Sequence, residues 1–273
     1  MKMSPIGIFD SGYGGLSILR EIRARLPQYD YLYLGDNARA PYGTRSFDLV
    51  YRFTLQAVQH LFDAGCQMVI LACNTASAKA LRSIQQNDLP MIDPSRRVLG
   101  VIRPTVESIG TLTRSRHIAL LATPGTIASR SYDLELAKLS PDIVLTPHAC
   151  PLWVPIIESG MADTRGADII IHDDIEQTLA ADPLIDTLVL GCTHYPLIFP
   201  IIRRHTPDHI RILTQGSIVA DSLADYLRRH PDMDCRLSRQ GTLQVLTTEE
   251  PDRFNPMAAQ FLDHPVAATH LDL

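Results

Sequence analysis

Lysine is scarce in this sequence: Lys2, Lys79 and Lys138 are the whole set among 273 residues. Each lies outside the residues singled out below for chemistry, so none is placed for Schiff-base catalysis. Positive charge is not in excess either. The formal net charge is −5, which gives no field favouring nucleic acid. No stretch approaches the roughly 20 apolar residues of a membrane span. The opening residues, MKMSPIGIFDSG, lack an apolar signal core because Asp10 interrupts it. A cytoplasmic protein with reduced thiols is expected, with neither nucleic acid nor membrane among its partners. There is no CxxC pair. Cys66, Cys73, Cys150, Cys192 and Cys235 are odd in number and widely spaced, which argues against a disulfide framework. Cys192 and His194 alone make a poor zinc signature, and no metal is expected. The glycine-rich turn at Gly12, Gly14 and Gly15 does not match GxGxxG, and Asp10 precedes it where phosphates would approach.

What is present is a chain 45% apolar and 20% charged, long enough for two domains of ordinary size. Two stretches organise it. Leu188 to Pro196 reads LVLGCTHYP, and Val69 to Ala76 reads VILACNTA. Each is a short apolar run that ends in a cysteine followed by polar groups. Such runs read as buried strands of a parallel sheet, and ligands bind at the carboxyl ends of such strands.

Strands are also expected at 6–9, 31–34, 98–102, 117–123, 143–145, 211–213 and 242–247. Helices are expected at 16–26, 46–64, 76–86, 164–181, 217–230 and 257–262, with Pro104 marking a boundary. The βα pattern restarts at His117, so two halves of similar plan each deliver one thiol. The tail from Pro251 is expected to pack back onto the first half. The fold class is therefore α/β, with two pseudo-symmetric domains of mostly parallel sheets and a site in the cleft between them.

A cysteine in an apolar strand is usually core. That reading suits Cys66, Cys150 and Cys235, and loss of Cys66 or Cys235 is expected to matter little. It suits Cys73 and Cys192 less well. Taking a proton from a carbon acid and returning it to the opposite face needs two bases on either side of a plane. A thiol serves, because its pKa near about 8.5 is lowered by a helix N-terminus or a cation. Asp10 lies at a strand end of the Cys73 half, as a proton-handling carboxylate, an ammonium anchor or a mere helix cap. His194 and Glu158 belong to the Cys192 half. Ser11, Asn74, Thr75, Thr126 and Thr193 offer groups to hold a carboxylate and an ammonium. Pro41, Tyr42 and Gly43 form either a loop over the site or an ordinary turn.

The stretches PIGIFDSGYGGLSILREI, YLGDNARAPYG, ILACNTASAKAL, ATPGTIASRSY, CPLWVPIIESG and LGCTHYPL run from Ser4 to beyond Leu197. In them the sequence resembles the glutamate racemases of the aspartate/glutamate racemase superfamily. The resemblance implies interconversion of L- and D-glutamate without pyridoxal phosphate, metal or other cofactor, supplying D-glutamate for peptidoglycan. It implies Cys73 and Cys192 as the acid/base thiols, the first acting on the D-enantiomer and the second on the L-enantiomer. Asp10, Glu158 and His194 carry over as helpers. Asp10, Ser11, Pro41, Tyr42, Gly43, Asn74, Thr75, Thr126, Thr193 and His194 carry over as substrate contacts. The C-terminal part is expected to return to the first domain, giving 1–102 plus 213–273 and 103–212. A homodimer is expected.

Two stretches depart from the family. Gln215 stands in LTQGS where an Asp is usual, and Arg103 and Glu107 replace small residues. These changes are expected to leave the chemistry motifs untouched and to bear on hinge, dimer surface or regulation. Racemases of aspartate or hydantoins share the two-cysteine plan, and a non-catalytic amino-acid-binding or partner-inhibiting protein on this scaffold is a further alternative.

Overall fold

The computed structural model describes residues 4–273. Its strands are β1 (Ile6–Asp10), β2 (Tyr31–Gly35), β3 (Met68–Leu71), β4 (Arg97–Gly100), β5 (His117–Ala122), β6 (Val144–Ala149), β7 (Thr187–Gly191), β8 (Arg211–Leu213), β9 (Leu243–Thr247) and β10 (Thr269–His270). They form two sheets, ordered β10-β9-β2-β1-β3-β4 and β6-β5-β7-β8. Every pairing is parallel. Strands β1, β2, β3 and β7 are buried along their whole length. That is why they read as unbroken apolar runs rather than alternating ones. The α/β class with two mostly parallel sheets is as the sequence implies.

Register decides what meets at the sheet edges. Asp10 pairs with Gly35, and Phe9 with Leu71. Ala122 pairs with both Ala149 and Gly191. Asp10 and the residues just after Leu71 therefore share one carboxyl edge. Thr123, Cys150 and Cys192 share the other. The long helices begin where side chains can take up free N–H groups. Ser46 Oγ accepts from Leu49 N at 3.4 Å to start Phe47–Asp63, and Thr164 Oγ1 accepts from Ala167 N at 3.2 Å to start Arg165–Ala181.

Several expectations are corrected. Pro104 does not end an element, because it sits in the first turn of a helix over Ile102–Leu112. A first-turn N–H has no intrahelical acceptor, so proline costs nothing there. The helix expected from Ala76 begins at Asn74 with Cys73 as its cap, and breaks at Ala80. Strand β6 reaches Ala149 in spite of Pro147. It is an edge strand, where a missing donor is tolerated. Cys235 is exposed rather than core. Cys66 is fully buried, with its sulfur close to Gly7.

The halves share apolar packing. One buried cluster joins Ile8 and Ile70 of the first sheet to Leu121 and Leu188 of the second. The helices Gly15–Arg25 and Gly216–Arg229 pack together across it. The tail returns to the first sheet through β9, which pairs with β2. Buried Asp30 holds that return. Its Oδ1 accepts from Gln240 N at 3.1 Å, Thr242 N at 2.9 Å and Thr242 Oγ1 at 2.7 Å. Burial disfavours its charge, but the hydrogen bonds outweigh it and lower its pKa. Asp30→Ala leaves these donors without their charged acceptor, which should cost about 2–3 kcal/mol. Urea denaturation checks this; an unchanged midpoint would remove Asp30 as the anchor of the tail.

Candidate active site

Both carboxyl edges open into one cleft. From the first sheet it is lined by Ser11, Pro41, Tyr42, Gly43, Cys73, Asn74 and Thr75, and from the second by Cys150, Glu158, Cys192, Thr193 and His194. Thus most of the residues singled out in the sequence meet there. Cys73 is 6% and Cys192 7% exposed. Each sulfur is sheltered from bulk water yet open to the cleft.

The two thiols have different surroundings. The Cys73 sulfur lies 3.5 Å from Ser11 Oγ and accepts from Ala76 N at 3.4 Å. Burial, and then the charge of Asp10, push this thiol up to about 12, against the smaller opposite effect of those two hydrogen bonds. The two hydrogen bonds do not offset desolvation here, so the thiol is raised rather than lowered. The Cys192 sulfur lies 3.9 Å from His194 Nδ1, and His194 Nε2 lies 2.8 Å from Glu158 Oε1. Burial opposes a charge on the imidazole, but its hydrogen bonds to Cys192 and Glu158 and their charges prevail, raising His194 to about 10. Sulfur, imidazole and carboxylate form a connected line.

Asp10 sits behind the cleft rather than on its wall. It is fully buried, and burial raises its pKa. Its Oδ1 accepts from Gly12 N at 2.9 Å and its Oδ2 from Thr193 Oγ1 at 3.4 Å. It is not the residue preceding the next helix, a place taken by Gly14. Thr126 is also behind the wall. It hydrogen-bonds Thr123, and Thr75 Oγ1 lies 3.0 Å from Thr123 Oγ1 and 3.4 Å from Thr126 Oγ1. These hydroxyls tie the two halves together. Thr123 lines the cleft and was not singled out in the sequence, though its place directly after β5 is the signal that marks it.

Pro41 to Gly43 is more than an ordinary turn. The Tyr42 hydroxyl donates to buried Asp36, which also accepts from Arg39 Nε at 2.7 Å and Thr248 Oγ1 at 3.0 Å. A Cβ on Gly43 would come within 3.0 Å of Thr123, and one on Gly125 within 2.6 Å of the Gly43 carbonyl. The loop is therefore pressed between the halves. Lys79 stays off the cleft wall, with Nζ donating to the Arg45 carbonyl at 2.6 Å. Gln215, expected to leave the chemistry motifs untouched, is buried and hydrogen-bonded to Asn74. Arg103 and Glu107 form an exposed pair at 3.0 Å.

Among the described residues, His148, Cys150 and Asp174 are grouped closely enough to hold a metal ion, as are His172, Asp173 and Glu176. In the first group Asp174 is already committed to His148 Nε2 at 2.9 Å and to the Trp153 indole N–H at 2.7 Å. The second is wholly exposed, and neither contains Cys73 or Cys192.

The sequence profile of the Asp/Glu/hydantoin racemase family matches residues 16–223. A glutamate racemase of Roseobacter denitrificans is 43% identical over 267 residues, which is 94% of this chain and 96% of that protein. Among solved structures, a glutamate racemase isoform of Bacillus anthracis superposes with a TM-score of 0.90 at 31% identity, covering 100% of this chain and 99% of that one. A glutamate racemase of Francisella tularensis in complex with D-glutamate gives a TM-score of 0.86 at 29% identity, covering 100% and 98%.

Two outcomes follow from the geometry. The helix start at Gly14 supports the Cys192 segment, since Ser17 Oγ donates to the Thr193 carbonyl at 2.9 Å. A Cβ on Gly14 would lie 2.2 Å from Thr193 Oγ1 and 2.5 Å from His194 Nδ1. Gly14→Ala should therefore cost about 1–3 kcal/mol, as overpacking does, and an unchanged melting curve refutes the tight fit. The second outcome concerns pH. A proton held by His194 up to about 10, against a usual 6.5, stabilises the fold fully below pH 6.5 and is lost as pH rises through about 10. The stability difference between the parent protein and His194→Asn should shrink across that window. Denaturation at each pH checks it, and a difference that grows with pH overturns the cationic assignment.

Proposed function

This chain belongs to the Asp/Glu/hydantoin racemase family, and on that premise we propose that it interconverts L- and D-glutamate by a two-thiol exchange of the Cα proton. It is an amino-acid racemase. The observation that carries the mechanism is the pair of sheltered sulfurs, Cys73 and Cys192, delivered by separate sheets to one cleft.

With L-glutamate, the Cys192 sulfur, as thiolate beside the His194 imidazolium, takes the Cα proton. The Cys73 thiol gives its own proton to the opposite face. The product is D-glutamate, with Cys192 now protonated and Cys73 a thiolate. The reverse reaction runs through that second form. Ser11, Asn74, Thr75 and Thr193 hold the substrate's carboxylate and ammonium, and the loop from Pro41 to Gly43 covers them. Asp10 acts from behind the wall, by its charge on Cys73 and by its hydrogen bond from Thr193, and Thr126 acts through Thr75. Neither thiol step calls on a metal or an organic cofactor.

Among the described residues no helix is long and apolar enough to cross a membrane. The reading places the protein in the cytoplasm, as a homodimer supplying D-glutamate for peptidoglycan. It divides the chain into 1–102 plus 213–273 and 103–212. The two sheets, which share no strand, support that division.

Cys73→Ser and Cys192→Ser should each lower racemisation by about 100-fold or more, the scale of a lost general acid or base. Solvent deuterium should enter Cα of glutamate in the parent enzyme. Incorporation into aspartate or a hydantoin instead would reassign the substrate, and none at all would leave a binding protein. The halves can be told apart. His194→Asn should enlarge the Cα deuterium isotope effect for L-glutamate more than for D-glutamate, and Asp10→Asn the reverse. Equal changes in both directions for both variants would defeat the half-by-half assignment.

A further inference from the structure

Gln215 lies just after β8 in the second sheet, yet its side chain reaches the residue next to Cys73. It is 3% exposed, and it meets Asn74, Thr105 and Tyr132, which are 3%, 0% and 1% exposed. We propose that Gln215 is a positioning residue that fixes the orientation of the Asn74 amide, so that Asn74 faces the cleft as an N–H donor.

Counting donors and acceptors leaves one arrangement. Thr105 Oγ1 lies 2.7 Å from the Val101 carbonyl, one turn back in its helix, and must donate its hydrogen there. Toward Gln215 it can only accept. The atom 2.8 Å from it is therefore Gln215 Nε2. The second Nε2 hydrogen is shared between the Tyr132 hydroxyl at 3.0 Å and Asn74 Oδ1 at 3.2 Å. Tyr132, having accepted, donates its own hydrogen to Asn74 Oδ1 at 2.9 Å. With the nitrogen of Gln215 so committed, its Oε1 faces Asn74 and accepts from Nδ2 at 2.5 Å. The Asn74 carbonyl and one of its N–H groups are thus both used within the protein. Its other N–H is the remaining donor, and Asn74 lines the cleft. An amide turned the other way would offer a carbonyl oxygen to a carboxylate and repel it.

The sequence of bonds starts at the carbonyl of Val101, which caps the helix Ile102–Leu112, and that helix packs on the helices Ser131–Leu139 and Gly216–Arg229. It ends beside the thiol of the first sheet. Gln215 thus ties the acceptor that sets the polarity to the group that would meet substrate. A carboxylate here could not donate to Thr105 or to Tyr132, so it would not impose the same order. This inference rests on the proposal above that Asn74 touches substrate carboxylate.

A double-mutant cycle on kcat/KM for glutamate tests it, with folding followed by circular dichroism. Gln215→Met keeps the length of the side chain and removes its donors and acceptor. In the parent it should lower kcat/KM by about 10- to 100-fold, as loss of a hydrogen bond to a charged group does, with KM rising more than kcat falls. In an Asn74→Ala background the same change should cost less than about 3-fold, because the residue it acts through is gone. Equal losses in both backgrounds, or no loss in the parent, overturn the positioning role. A parent-like Asn74→Ala enzyme would instead overturn the Asn74 contact on which the inference stands. Gln215→Glu, which keeps the volume and removes the donors, runs the same cycle if Gln215→Met does not fold.

Discussion

A sulfur anion sheltered from water needs a positive charge close beside it, and this protein sets an imidazole against the sulfur of Cys192. The cost of an unpaired buried charge is large enough that the group stays neutral instead. Cys73 obeys that rule. It is enclosed, it faces the carboxyl of Asp10, and its thiol is pushed up to about 12. Cys192 has His194 beside it, and His194 has Glu158 beyond it. The two sulfurs therefore lie in unlike electrostatic surroundings.

The two halves are alike in plan and unlike in detail, and the difference lies in local backbone. Cys73 caps the short helix Asn74–Lys79 and receives the Ala76 N–H. After Cys192 the chain instead makes a tight turn, with Tyr195 N donating to the Cys192 carbonyl at 3.2 Å. That turn places His194 where it reaches both the sulfur and Glu158. It is held from the first half by Ser17 and by the bare backbone of Gly14. A change in one sheet is thereby felt at the thiol of the other.

Much of this was legible in the residues. Apolar runs closed by Gly-Cys-Thr-His and Ala-Cys-Asn-Thr announce strand ends carrying chemistry, and the second run at His117 announces a second sheet. Elements that depend on tertiary context were not legible. Pro104 reads as a stop, and only its place in a first turn makes it harmless. Pro147 hides the length of β6, because a sequence does not say which strand lies at an edge. That a helix N-terminus can lower a thiol's pKa is visible in sequence, whereas the depth of burial that raises Cys73 is not. Gln215 looked remote from the chemistry, because the link from Gln215 to Asn74 spans 141 positions.

A racemase makes an unusual demand on such asymmetry. Its substrates are mirror images of equal free energy, so no arrangement of acids and bases shifts the equilibrium between them. Unequal thiols alter only the populations of the two protonation forms of the free enzyme and the heights of the barriers between them. In the exchange proposed above, each turnover that starts with Cys73 protonated ends with it ionised, and the first form must be restored before the same enantiomer is processed again. A connected path for that proton is present on one side, through His194 to Glu158, whose side chain is 27% exposed. On the other side the Cys73 sulfur meets Ser11 Oγ, and buried Asp10 is hydrogen-bonded to Gly12 N and Thr193 Oγ1. In the mechanism proposed above the imidazole thus serves two ends at once: it stabilises charge on Cys192 during the reaction, and it connects the cleft to solvent between reactions.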